Sequence, residues 1–244
     1  IVPDLHTSAA QLKRHLAYTF NNEHFNLSLG EPIANYPLIA HALQWLNLNL
    51  FDISHHQIKL LLTSPFIAHA QQEVNQRVEC LQSIPLLEER SLPFHRFVFA
   101  IKQQAPLLFE TLSTLTPYPK KATVRTWAKH FYHRLNQLGF PGDTSLNSVL
   151  YQCFERFKAL TEEFISLAVI QPFMTQQTAL HAFQMLAKTS IFQPEIKHSP
   201  IHILGLLEAS GCTFDAVWVC HATDQNLPSK THFNAFIPIS LQRE

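Results

Sequence analysis

The side chains best suited to chemistry in this sequence are cations gathered in one stretch. From Thr111 to Gly142 no acidic residue occurs, while Lys120, Lys121, Arg125, Lys129, His130, His133 and Arg134 are all present. Lys121, Arg125, Lys129 and His133 recur every four residues, so a helix over Thr123–Leu138 and its leading turn carries them as one ridge. Such a ridge, with Lys120 beside it, can track a phosphate backbone by charge and hydrogen bonding. An ordinary solvated face is the competing reading, and the commoner one for a lone charge stripe.

Other chemistries are excluded by what is missing. The five glycines are Gly30, Gly139, Gly142, Gly205 and Gly211. No two of them fit G-x-G-x-x-G and none opens a G-x-x-x-x-G-K-[ST] loop, so no self-contained phosphate cradle is present. H-E-x-x-H, C-x-x-C and G-x-S-x-G are absent as well, which removes the usual zinc, redox and exposed-nucleophile signatures. His130 and His133 stand at i and i+3, but nothing near them completes a set of three or four metal ligands, so no metal is expected. No catalytic residue is assigned.

Lys+Arg and Asp+Glu balance at 18 each, so affinity for a polyanion must come from local patches and not from the whole chain. With 244 residues, 46% of them hydrophobic, the chain has enough apolar surface to offset the entropy of ordering it. No run reaches the ~20 apolar residues of a membrane helix, and the start Ile1-Val2-Pro3-Asp4 lacks the pattern of a signal peptide. Cys80, Cys153, Cys212 and Cys220 are widely spread, which fits a reducing, cytoplasmic setting.

These residues must be positioned by a helical middle and mixed ends. From about Pro37 to Phe192 apolar residues recur at three- and four-residue intervals. The spacing predicts helices over Pro37–Leu48, Ser54–Leu62, Ala68–Gln82, Phe94–Lys102, Pro106–Leu115, Thr123–Leu138, Ser145–Leu167 and Thr175–Ser190. The stripe Val124, Trp127, Ala128, Phe131, Leu135 and Leu138, stopped by Gly139 and Pro141, is the clearest. At the ends, Thr7 is read as the cap of a helix over Ser8–Phe20. Phe25–Leu29, Ile201–Leu204 and Ala216–Cys220 read as strands, with Trp218 and Phe214 in the core. No internal repeat is evident.

The run Ile203–Pro228, with Gly211, Phe214, Val217, Val219, Asp224 and Pro228 on matching positions, resembles motif V of UvrD/Rep-type superfamily-1 helicases. Its L-G-L-L-E-A-x-G-x-x-F-D-x-x-W-V pattern, followed by Asn234 to Arg243 as N-x-F-x-P-x-x-L-Q-R, is most similar to AddB/RecB-like helicase–nuclease relatives described as probable DNA repair proteins. Ile1–Leu5 and the following helix resemble the motif IV strand and helix. Phe25–Gly30 and Pro37–Leu48 resemble the lead into a helical insertion. The likeness is sharp over about 40 C-terminal residues, weaker over the first 50 and only architectural between.

This resemblance implies an α/β, predominantly helical fold: a partial second RecA-like domain over 1–50 and 196–244, its parallel sheet interrupted by an all-α insertion over 51–195. It implies an ATPase-like domain before Ile1 and a nuclease-like domain after Glu244, and DNA as a weak or indirect partner. The motif loop maps to Leu207, Glu208, Ser210, Gly211, Thr213, Phe214 and Asp215. Its chemistry is degenerate: Gly205 stands for the family's Thr, Leu207 for the His, Ser210 for the Lys, Thr213 for the Glu, and Asp4 near the place of a phosphate-binding Arg. An Asp repels the phosphate an Arg would hold. No cofactor is therefore expected in this segment, with ATP possible only through further domains. Glu208 is read as a residue that orders its loop, in preference to a ligand contact.

The expected function is noncatalytic: positioning DNA and neighbouring domains within a DNA repair or recombination helicase–nuclease. A helical protein-interaction scaffold without a DNA role is one alternative, and half of a composite ATP-dependent helicase site is another. An uncovered apolar face or strand edge is expected near residues 1–5 or 216–220.

Overall fold

The computed structural model describes residues 1–20, 25–83, 91–195 and 199–223. In chain order these hold α1 (Leu5–Thr19), β1 (Phe25–Leu27), β2 (Glu31–Pro32), α2 (Pro37–Leu46), β3 (Asp52–Ser54), α3 (His55–Thr63), α4 (Val74–Ser83), β4 (Ser91–Pro93), α5 (Phe94–Ile101) and α6 (Pro106–Ser113). They continue with β5 (Lys121–Thr123), α7 (Val124–Gln137), α8 (Ser148–Ser166), β6 (Phe173–Thr175), α9 (Gln176–Thr189), β7 (Ile191–Phe192), β8 (Ile201–Ile203) and α10 (Leu206–Ala209). The class is α/β and helix-rich, with strands of two or three residues in two-stranded sheets. The chain divides into two compact units, Glu31–Pro194 and the paired ends Ile1–Gly30 with Glu195–Glu244.

The helices begin where local chemistry starts them. Ser54 and Gln57 form a reciprocal capping box at α3, Thr123 accepts from the Thr126 N–H at α7, and Thr175 does the same for Thr178 at α9. Pro37 and Pro106 occupy first-turn positions of α2 and α6, where a missing N–H costs nothing. The apolar stripes then pack into one core that includes Trp45, Phe97, Trp127 and Phe164. At its centre the rings of Phe131, Phe157, Phe164 and Phe183 meet at centroid distances of 5.4 to 5.6 Å. Aromatic pairs at such spacing add to simple burial.

The sequence carries no repeat, yet one local arrangement occurs twice in the helical unit. β3 pairs antiparallel with β4, and β5 with β6. Each of these four strands runs directly into a helix. The middle residues Ile53, Leu92 and Met174 are buried, so each ribbon is pinned to the core by its central side chains.

A polar knot fixes α4 and α6. Glu73 and Arg77, both nearly fully buried, are paired at 3.3 Å. The Glu73 carboxylate accepts the Leu107 N–H at 2.6 Å and the Leu108 N–H at 2.9 Å, capping α6, while Arg77 donates to the Ala68 carbonyl at 2.7 Å. Beside it, Gly139 lies so close to Ala68 that a Cβ there would stand 2.5 Å from the Ala68 Cβ, and its φ of +67° favours glycine independently.

The paired ends form a smaller body. β1 runs parallel to β8, with Phe25 opposite Ile201 and Leu27 opposite Ile203. On the other side of β8, Val2 donates to the Leu204 carbonyl. Ile1 bonds in turn to the Trp218 carbonyl and the Cys220 N–H, the alternation of a parallel ladder. Val2, Leu5, Phe25 and Ile203 make the core, flanked by Leu12 and Leu16 of α1.

Five expectations are corrected. The first segment, read as 1–50, ends at Gly30, because Ile33, Leu38, Ile39 and Trp45 are buried in the helical core. α1 starts at Leu5 and is capped by Asp4, whose carboxylate accepts from the Thr7 N–H and, at 2.6 Å, from its hydroxyl; Thr7 is the donor and not the cap. α4 begins at Val74 and not Ala68, since the preceding turn, with His69 at φ +58°, docks on the end of α7 through Ala68 N–H to the Leu138 carbonyl. Ala216–Cys220 is not a strand: among the described residues its backbone ladder involves Ile1 alone. Trp218, expected in the core, is 81% exposed, and Phe214 is 38% exposed, for want of a covering layer among the described residues. Residues 224–244, which carry the Asn234–Arg243 likeness, lie outside the described residues, as do 196–198 at the expected domain boundary.

Candidate nucleic-acid interface

The ridge is built on the second ribbon and α7. Strand alternation sends Ala122 and Met174 inward and Lys121 and Phe173 outward, so that the Lys121 ammonium sits 5.8 Å from the centre of the exposed Phe173 ring. Thr123 then caps α7 and fixes its rotation. The buried side is Val124, Trp127, Ala128, Phe131, Arg134 and Leu135, and the Trp127 indole donates to the Met174 carbonyl at 2.9 Å. The helical period therefore leaves Arg125, Lys129 and His133 on the opposite, exposed side, with Lys120 and Lys121 exposed at its start. Among the described residues, none of these cations is ion-paired to a carboxylate. Free cations on one helix face can exchange solvent counterions for phosphates.

Two residues of the basic stretch do other work. His130 is half-buried against the rings of Tyr118 and Trp127, and burial, followed by the nearby His133 and Arg134 charges, holds its pKa below the ordinary histidine range. Arg134 is only 2% exposed. It donates to the Thr116 carbonyl at 2.7 Å and lies 4.2 Å above the Tyr118 ring. Burial lowers its pKa from the usual arginine value and pushes the Tyr118 phenol up to about 12. Nothing in the sequence distinguished Arg134 from its neighbours except its place in the Trp127/Phe131 stripe, which was the signal available.

The motif loop belongs to the paired ends and is separate from the ridge. Gly205 caps the single-turn α10, and the Glu208 carboxylate folds back to within 2.3 Å of where a Gly205 Cβ would stand. That contact is with the free end of a flexible side chain, which can swing aside, so it does not by itself demand glycine at 205; the Glu208 side chain accepts no backbone N–H among the described residues. Leu207 is 88% exposed, Ser210 ends the turn, and Gly211 adopts φ +80° with open space around it. Thr213, Phe214 and Asp215 line a cavity of about 960 Å³ together with Leu12, Leu16 and Trp218. Asp4, on the approximate position of the family's phosphate-binding Arg, has its carboxylate engaged by Thr7, which lowers its pKa. Among the described residues, no contact joins these groups into an acid–base or nucleophile pair.

Among the described residues, no group of three or more His, Cys, Asp or Glu converges on a possible metal position. Their cysteines are free thiols, and burial raises the pKa of Cys80 and, to about 12, that of Cys153. No described helix is long and apolar enough to cross a membrane. No family model, curated protein or solved structure matches this chain.

Proposed function

We propose that this chain is a noncatalytic, helicase-like segment of a cytoplasmic DNA repair or recombination protein, and that it holds DNA through the face carrying Lys120, Lys121, Arg125, Lys129 and His133. The observation that carries the reading is the ridge: exposed cations spaced by one helical turn, without carboxylate partners among the described residues, with the aromatic face of Phe173 beside Lys121. Phosphate contacts of this type position a nucleic acid without reading its sequence. The paired ends fit a remnant of a RecA-like domain, since β1, β8 and the Ile1–Val2 backbone lie side by side; the loss of nucleotide-facing side chains at Gly205, Leu207, Ser210 and Thr213 fits a positioning role and not a motor. The exposed Leu207, Val217 and Trp218 support a second duty, contact with neighbouring ATPase-like or nuclease-like domains.

A salt-titrated binding assay with a fluorescent DNA tests it. The expected affinity falls linearly on a log–log plot against salt, and each phosphate contact removed by Lys121→Ala, Arg125→Ala or Lys129→Ala reduces the slope by about 0.7–0.9. Absence of binding at low salt refutes the DNA role and leaves the protein-interaction scaffold standing.

A further inference from the structure

A groove of about 460 Å³ on the helical unit, separate in its residues from the ridge, contains the buried Arg134 in its lining. A buried cation is normally matched by a carboxylate, because leaving it uncompensated in a low-dielectric setting is costly. Arg134 is instead held by carbonyl oxygens and the Tyr118 ring, and no carboxylate among the described residues pairs with it. Tyr118 lines the same groove, and its hydroxyl has no hydrogen-bond partner among the described residues.

The remaining polar wall is made of amides: Asn47, Asn49, Gln176 and Gln177. No acidic side chain is among the described lining residues. Asn49 uses its carbonyl oxygen on the Phe51 N–H at 2.9 Å, which leaves its NH₂ group free to donate. Phe51 itself, 76% exposed, offers a flat apolar face at the rim. A second lobe of about 430 Å³ continues past Asn47 and Gln177 to Thr178, His181 and Gln184.

We propose that this groove binds a small phosphate ester carrying a flat polar ring, the chemistry of a nucleoside monophosphate. The phosphate is drawn by the uncompensated Arg134 charge, which suits a tetrahedral oxyanion. Carboxamides match the donor–acceptor edges of a heterocycle, as asparagine and glutamine do on adenine. Phe51 supplies stacking. The groove's volume lies in the range of small-molecule sites, which are concave with a few converging polar groups.

The test is calorimetry of the intact chain with AMP, adenosine and ribose 5-phosphate, at matched ionic strength. AMP is expected to bind at least tenfold more tightly than either half. Gln177→Glu and Asn47→Asp, which place a carboxylate on the exposed wall, are expected to weaken AMP at least tenfold while leaving the circular dichroism unchanged. Because Arg134→Met risks the fold, those two surface variants carry the test. Lys121→Ala and Arg125→Ala, which abolish contacts of the proposed DNA face, leave AMP binding unchanged, so failure of one reading is separable from failure of the other. A short oligonucleotide that competes with AMP and shares its sensitivity to Gln177→Glu identifies the phosphate ester as part of a strand. No heat with AMP, equal affinity for adenosine, or AMP binding indifferent to Gln177→Glu overturns the proposal.

Discussion

The two units reach a stable interior by different means. The helical unit buries a continuous aromatic and aliphatic core and includes a buried ion pair, Glu73–Arg77, in which the carboxylate accepts two backbone N–H groups and the guanidinium donates to one backbone carbonyl, while Arg77 Nη1 has no hydrogen-bond partner among the described residues. The paired ends bury Val2, Leu5, Phe25 and Ile203, and hold together largely through backbone hydrogen bonds between segments far apart in sequence. A core that large tolerates a polar knot because many contacts surround it. A core that small depends on each side chain.

The sharpest way to break this contrast is Glu73→Ala. It leaves Arg77 buried without a counter-charge and the Leu107 and Leu108 N–H groups uncapped, and should cost the helical unit about 3–5 kcal/mol in urea denaturation. Equal loss of amide protection in both units would show that they unfold together and end the distinction.

Phe25→Ala comes next, at about 3 kcal/mol by the usual cost of removing a buried ring. Hydrogen exchange should then lose protection over Phe25–Leu27 and Ile201–Ile203, while amides of α7 and α8 keep theirs.

A pH effect on the acid side follows for the paired ends. Thr7 lowers the Asp4 pKa beneath its ordinary value of 3.8, so the stabilisation is complete above that value and lost as pH falls through the folded pKa. Acid below about 4 should fray α1 first, as seen by NMR, and Asp4→Ala should remove that dependence.

The smallest change is expected on the ridge. Lys121→Ala, Arg125→Ala and Lys129→Ala should each alter stability by no more than about 0.5 kcal/mol in thermal unfolding, since all three side chains are exposed and make no ion pair among the described residues. A larger loss would make the ridge part of the fold and not a binding face.

What the sequence revealed follows the physics of each signal. Long amphipathic helices were legible: the expected Thr123–Leu138 is α7 with Thr123 as its cap, and Phe94–Lys102 is α5, because period and cap are local properties. The strands β3 to β6 were not, since three residues cannot display alternation and their last positions read equally well as helix caps. Glu73 and Arg77 were invisible as a buried pair, for an i, i+4 charge pair is normally a solvent feature. For the ridge, Lys121, Arg125, Lys129 and His133 share the expected exposed face, whereas Arg134, equally basic in sequence, is turned inward by the 3.6-residue period. Trp218 was misread because composition marks a residue as apolar without saying what covers it.

β2 and β7 carry a consequence of their own. Pairing Glu31 with Phe192 and Pro32 with Ile191 brings the chain's entry into the helical unit beside its exit. A body whose two ends are antiparallel neighbours can be spliced into any hairpin of a host without stretching it. The helical unit is in that sense a portable cassette, and a gene encoding residues 31–194 could move between scaffolds with its interior undisturbed.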